Sequence, residues 1–170
     1  MTTASLSAPE QLSAAEQLDR DAILSLIEQM SATRHEKNAP AVAALYAPGA
    51  PIFNLAPPLV HDGIDVAETQ AWLDSWEGPV RIASQDFRIT LAGDSAFCYG
   101  YMRMTGKKKG ADHGVDFWMR ETLCLARQGG RWRIVHEHTS VPFYMDATLR
   151  PAFDLRPEGS GAVGLGVSGR

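Results

Sequence analysis

The chain has 170 residues, 45% hydrophobic and 21% charged, which describes an ordinary soluble globular protein long enough for one domain with a proper core. A formal net charge of −4 and a pI near 5.7 argue against a nucleic-acid partner, because phosphate binding needs a basic face. With only Cys98 and Cys124, no leader pattern and no apolar run near the roughly 20 residues that span a bilayer, a cytoplasmic protein with free thiols and no membrane partner is expected.

Residues 1–12 are rich in Ser, Thr and Ala and are expected to form a flexible N-terminus. Ser13 and Glu16 make an S-x-x-E capping box, which predicts a helix from there to about Lys37. Ile23, Leu26, Ile27 and Met30 recur at i, i+3, i+4 and i+7 and give that helix one buried face. Asn38-Ala39-Pro40 starts a short second helix ending at Tyr46, before Pro48. Ile52 to Leu55 reads as a short strand, and Pro57-Pro58 with Asp62-Gly63 as a loop. Asp65 and Glu68 cap a third helix carrying Trp72, Leu73 and Trp76.

The pattern then changes from helical to alternating. Runs at 79–91, 95–105, 116–127 and 131–141 are separated by Gly93-Asp94, by Lys107-Lys108-Lys109 between Gly106 and Gly110, and by Gly129-Gly130. Such spacing predicts an antiparallel meander with the lysines at a solvated hairpin tip. In the first run the apolar parity switches between Ile82 and Phe87, which predicts a β-bulge near Ser84. Helices first and strands after make an α+β domain over 13–145: three N-terminal helices packed on a strongly curved, mostly antiparallel sheet. Residues 146–170 are expected to be an extended, Gly-rich C-terminal tail. Its Gly159-Ser160-Gly161-Ala162-Val163-Gly164 matches G-x-G-x-x-G, but no strand precedes it and no helix follows, so no dinucleotide cofactor is inferred.

The last run carries the densest chemistry. Alternation puts Trp132, Ile134, His136, His138 and Ser140 on one face, and Arg133, Val135, Glu137 and Thr139 on the other. If the 95–105 and 116–127 runs pair odd with odd, Tyr99, Tyr101 and Arg103 lie alongside Phe117, Met119 and Glu121; a one-residue slip inverts this. The Gly129-Gly130 turn leaves two registers open. A two-residue type I′ loop sets Gln128 opposite Arg131 and Glu121 opposite His138. A three-residue loop with a bulge at Gly130 sets Arg127 opposite Arg131 and Glu121 opposite Glu137. The second, taken as the working register, gathers Tyr99, Tyr101, Arg103, Glu121, Glu137 and Thr139 on one face.

A carboxylate among apolar groups has its pKa raised by desolvation, and a second carboxylate beside it raises one of the two further. A general acid or base working near neutral pH needs such a shift. Glu121 and Glu137 are therefore the candidate catalytic pair, with Tyr101 as oxyanion donor, Arg103 as orienting cation, and Tyr99 and Thr139 beside them. His61, in the loop at the expected mouth, is a further candidate contact. The plainer alternative is a structural Glu–Arg network. Trp118, Arg120, His136 and His138 share the opposite face, whose composition suits a sheet-to-sheet homodimer. His136-x-His138 also resembles half a metal site, but neither Trp118 nor Arg120 can supply a third ligand, so no metal is expected. No G-x-S-x-G elbow supports a serine hydrolase.

The ending Gly130-x-Trp132-x-Ile134-Val135-His136-x-His138-x-Ser140 resembles the SnoaL-like branch of the nuclear transport factor 2-like superfamily. Leu45-Tyr46-Ala47-Pro48, Gly93-Asp94-x-Ala96, Arg120-x-Thr122 and Val141-Pro142-Phe143 extend the resemblance over about residues 16–143. It implies a cone-shaped, cystatin-like roll, and either ketosteroid isomerase-like or dehydratase-like proton transfer or a noncatalytic binding domain. Glu121-Thr122 and the same ending are also similar to the association domain of calcium/calmodulin-dependent kinase II. Of that domain's three pocket arginines the first matches Arg103, while the other two fall at Leu123 and Thr139. Two functions stay open. One is a cofactor-independent isomerase or dehydratase acting beside a carbonyl on a small, largely apolar molecule. The other is a ligand-binding or oligomeric assembly module without catalysis.

Overall fold

Helix α1 (Ala14–His35) opens on the expected capping box: the Glu16 amide donates to Ser13 Oγ at 3.3 Å and the Ser13 amide donates to Glu16 Oε2 at 2.8 Å. Its buried residues are Ile23, Leu26, Ile27 and Met30. Each contributes about 1.5–3 kcal/mol by burial, more than the roughly 1 kcal/mol of an N-cap, so packing holds this helix. The computed structural model describes residues 12–158, so the glycine motif at 159–164 and nearly all of the N-terminal stretch lie outside the described residues. Helix α2 (Ala39–Ala43) is shorter than expected, because the chain after it runs alongside Ile134 through a parallel bridge at Tyr46. Strands β1 (Pro51–Phe53) and β2 (His61–Asp62) follow; the second falls where only a loop was expected. Helix α3 (Val66–Asp74) is capped by Asp65, and Trp76 starts the next strand instead of ending the helix.

Four long strands complete the sheet: β3 (Trp76–Ala92), β4 (Ser95–Lys108), β5 (Val115–Gln128) and β6 (Arg131–Ser140). The order is β2-β1-β6-β5-β4-β3, antiparallel except where β1 runs parallel to β6. The fold is mixed α+β, with three helices on a curled, unclosed six-stranded sheet. The bulge expected near Ser84 falls between Gln85 and Arg88, where Asp86 has φ 55°; a second irregularity lies between Glu77 and Arg81. The lysine run is not wholly a solvated tip. Lys107 pairs with Glu77 at 3.2 Å, and Lys108 Nζ lies 4.5 Å from the centre of the Trp76 ring. Desolvation there lowers the Lys108 pKa.

Strand register corrects the expected faces twice. First, β4 and β5 pair odd with even: Gly100 faces Glu121, Tyr101 faces Arg120 and Met102 faces Met119. Second, β5 and β6 meet at a two-residue turn, with Gln128 opposite Arg131 and positive φ at Gly129 and Gly130, as a type I′ loop requires. The register then shifts at Cys124–Leu125, leaving Val135 unpaired between Ile134 and His136. That bulge restores odd-with-odd pairing beyond it, so Glu121 lies opposite Thr139 and Leu123 opposite Glu137.

Two apolar clusters sit between helices and sheet. The larger joins the α1 stripe to Val42, Tyr46, Ile52, Leu123, Leu125 and Ile134; the smaller joins Ala39, Leu73, Trp76 and Val80, with Trp72 and Met104 against it. Past β6, residues 146–158 do not run extended. Asp146 folds them into a turn, accepting from the Thr148 amide at 2.8 Å, and an antiparallel bridge joins Phe143 to Pro151. Burial of Ala152 and a Phe117–Phe153 ring contact at 4.8 Å hold the returning segment.

Candidate functional site

Members of both clusters line one cavity of about 330 Å³, within the size range of small-molecule sites. Its walls are mostly apolar: Val42 and Trp72 from the helices, Ile64 from the loop before α3, and Ile52, Met102, Met104, Phe117 and Met119 from the sheet. Three methionines on one wall make it adaptable in shape, since the thioether chain has several low-energy rotamers. Glu137 and Thr139 from β6 and His61 from β2 bring polar groups to it, and Asn54, Asp65, Glu68 and Thr69 add more.

A chain of hydrogen bonds fixes Glu137. The Tyr46 hydroxyl donates to Glu137 Oε2 and accepts from Arg34 Nη2 at 2.9 Å, while Arg34 Nη1 donates to the Met30 carbonyl at 3.0 Å. Burial, and then the neighbouring Glu137, raises the Tyr46 pKa well above its ordinary value, so the phenol keeps its proton as a donor. Burial works against the Arg34 charge, but Tyr46, which accepts from it, and then Glu137 outweigh that and hold its pKa above the ordinary value.

Glu121 lies in the adjoining core, 2% exposed, with Oε1 lacking a partner among the described residues. Burial first, and Glu137 second, push its carboxyl up to about 8, so it is mostly the neutral acid at neutral pH. The same surroundings, burial and then Glu121, push the Cys98 thiol up to about 12. The two glutamates are thus unlike: Glu137 reaches the cavity, and Glu121 stands outside its lining.

The remaining sequence candidates divide by face. Thr139 lines the cavity with Glu137, and His61 lines it with a buried Nε2 that has no partner among the described residues. Tyr99, Tyr101 and Arg103 do not reach it. The register puts them on the outer face, where Tyr99 and Tyr101 are over 40% exposed and Arg103 is clamped to Asp116 by bonds of 2.7 and 2.8 Å. Trp132 and Ile134, expected on the face of His136 and His138, turn inward through the β6 bulge, and Cys98, Met102 and Met104 face inward through the β4–β5 register. Trp118, Arg120, His136 and His138 keep their outer placement; Arg103 stacks over Trp118, and His136 Nδ1 pairs with the Pro51 carbonyl at 2.7 Å. Among the described residues no three His, Cys, Asp or Glu side chains are grouped to hold a metal ion. No helix of the described chain is long and apolar enough to cross a membrane.

Arg34 and Tyr46 were missed by sequence reasoning, yet one signal pointed to the first. Arg34 follows Met30 by four positions, so it continues the buried stripe of α1 with a cation, and a cation there needs an acceptor.

A family model described as a SnoaL-like domain matches residues 23–144. No curated protein matches the chain. Among solved structures, a nuclear transport factor 2-like protein of unknown function from Pseudomonas putida is 28% identical, with a TM-score of 0.71 over 86% of this chain and 100% of that one. A candidate scytalone dehydratase from Novosphingobium aromaticivorans is 14% identical, with a TM-score of 0.68 over 86% of this chain and 97% of that one. A candidate ketosteroid isomerase from Shewanella frigidimarina is 24% identical, with a TM-score of 0.58 over 70% and 94% respectively. The last two likenesses speak to fold alone.

Proposed function

The chain belongs to the SnoaL-like domain family, and from that premise we propose that it takes a small, largely apolar molecule into the cavity and moves a proton beside a carbonyl without a cofactor. The observation that carries this is Glu137, a buried carboxylate on an apolar cavity wall, oriented by Tyr46 and Arg34. Glu137 removes the proton from the carbon next to the carbonyl. The developing oxyanion is met by His61 Nε2 or by the Thr139 hydroxyl, whose present bond to the Phe53 carbonyl is long at 3.4 Å. Neutral Glu121 beside the base keeps the pair from carrying two charges, as like carboxylates in low dielectric require. Return of the proton to another carbon is isomerisation; where the β-carbon carries a hydroxyl, the C–O bond breaks as the carbon–carbon double bond forms, the proton taken by Glu137 goes to the leaving hydroxyl, and water departs in dehydration.

The test is deuterium uptake at the α-carbon of small cyclic ketones and enones in heavy water. Wild type is expected to exchange, and Glu137→Gln to lose about 10²–10⁴-fold of the rate. Equal exchange by both proteins sinks the proton-transfer reading.

A second reading, a noncatalytic binding or assembly module, is favoured by the outer face. There Phe97, Tyr99 and Tyr101 of β4 stand 41–46% exposed, and the Phe97 and Tyr99 rings stack 6.4 Å apart. Exposed aromatic residues in a row suit contact with a second copy of the chain. A homodimer is compatible with either reading, because that face lies away from the cavity.

A further inference from the structure

We infer that the cavity selects its ligand by charge: it takes an uncharged or cationic one- or two-ring molecule and rejects carboxylates and phosphates of the same size. This rests on the binding reading above and adds the class of ligand.

The argument starts from what an anion would meet. Among the described residues Arg34 is the one Lys or Arg that lines the cavity, and both its terminal nitrogens already donate inside the fold, to Met30 and Tyr46. An anionic ligand would leave water for an apolar chamber whose guanidinium is held by Met30 and Tyr46 and already offset by Glu137, so its desolvation is compensated only in part. It would also face Glu137 on the sheet wall.

The α3 end of the lining adds to the bias. Asp65 and Glu68 line the cavity with exposed side chains, and none of the ion pairs resolved among the described residues involves either. The start of α3 would by itself attract an anion with about half a positive charge. The Asp65 carboxylate already occupies that position, accepting from the Glu68 amide at 2.8 Å. Two carboxylates against half a charge leave this end negative. A cation loses hydration as an anion does, but it meets Asp65 and Glu68 on the way in and Glu137 within. An uncharged ketone needs only one donor, and His61 Nε2, which has no partner among the described residues, supplies a polar atom at the wall.

The experiment titrates the purified protein with three fluorescent probes on one two-ring scaffold: acetylnaphthalene (uncharged), naphthylmethylamine (cationic) and naphthoate (anionic), at neutral pH and low salt. The ketone and the amine are expected to bind, with naphthoate at least tenfold weaker than the ketone. In the Asp65→Asn/Glu68→Gln variant, where Asn still caps the helix, the amine is expected to weaken at least threefold and naphthoate to strengthen. Naphthoate binding as tightly as the ketone overturns the charge inference and leaves the cavity reading intact. Failure of all three probes to bind overturns the cavity reading and this inference with it.

Discussion

Glu121 carries a measurable consequence of its own. Its carboxyl is pushed up from an ordinary 4.5 to about 8, first by burial and then by Glu137. The folded chain therefore keeps a proton that the unfolded chain gives up above about 4.5. Stability from this group is complete below that pH and is lost as pH rises through about 8. At about 1.4 kcal/mol per unit the loss is on the order of a few kcal/mol. Glu121→Gln stays neutral throughout. Denaturant unfolding should therefore show wild type losing stability between about pH 5 and pH 8 while the variant stays nearly level. Parallel pH profiles for the two proteins would show that Glu121 is not the group responsible. Tyr46 and Arg34 belong to the same scale, since they set the orientation of Glu137 without reaching the outer face.

The bulge in β3 decides how that strand meets β4. It lifts Asp86 into the left-handed region, and Phe87 then passes directly over Gly100. A Cβ on Gly100 would sit 2.5 Å from Phe87 Cδ2 and 3.0 Å from the Gln85 carbonyl. The missing side chain is what lets the bulged strand lie so close. Gly100→Ala is expected to cost about 1–3 kcal/mol by overpacking, read as a fall in Tm, because the backbone as well as the ring must move. An unchanged Tm would mean that β3 shifts freely there and that the bulge is not tied to Gly100. The Val135 bulge has a different effect: it turns Ile134 and Glu137 to the same side of β6 despite their odd separation.

At the scale of the molecule, the sheet has one face under the helices and one face bare. The row of Phe97, Tyr99 and Tyr101 on the bare side predicts a homodimer in solution. Sedimentation equilibrium is expected to give a dimer mass at micromolar concentration for wild type, and a monomer for Tyr99→Glu/Tyr101→Glu with its fold intact by circular dichroism. A wild-type monomer at every concentration ends that expectation.

Much of this fold was legible because local signals were strong. The capping box at Ser13, the apolar stripe of α1 and the glycine punctuation of the four long strands each act over a few residues, and each produced its element. Glu121 and Glu137 do share the inner face, but Glu121 lies opposite Thr139 and not opposite Glu137, because a type I′ loop and a later bulge cancel in parity two residues away from the expected register. The β4–β5 register was not legible, since the connection spans residues 107–114 and no short turn dictates which residues face each other. Tyr101 and Arg103 were accordingly assigned to the wrong side. The elements, their order and the two inward glutamates could be read along the chain, because these follow from neighbouring residues and short turns. Which tyrosine and which arginine stand near Glu137 is set by packing in three dimensions, because it depends on one-residue shifts between strands and on a helix brought to the sheet from far away in sequence.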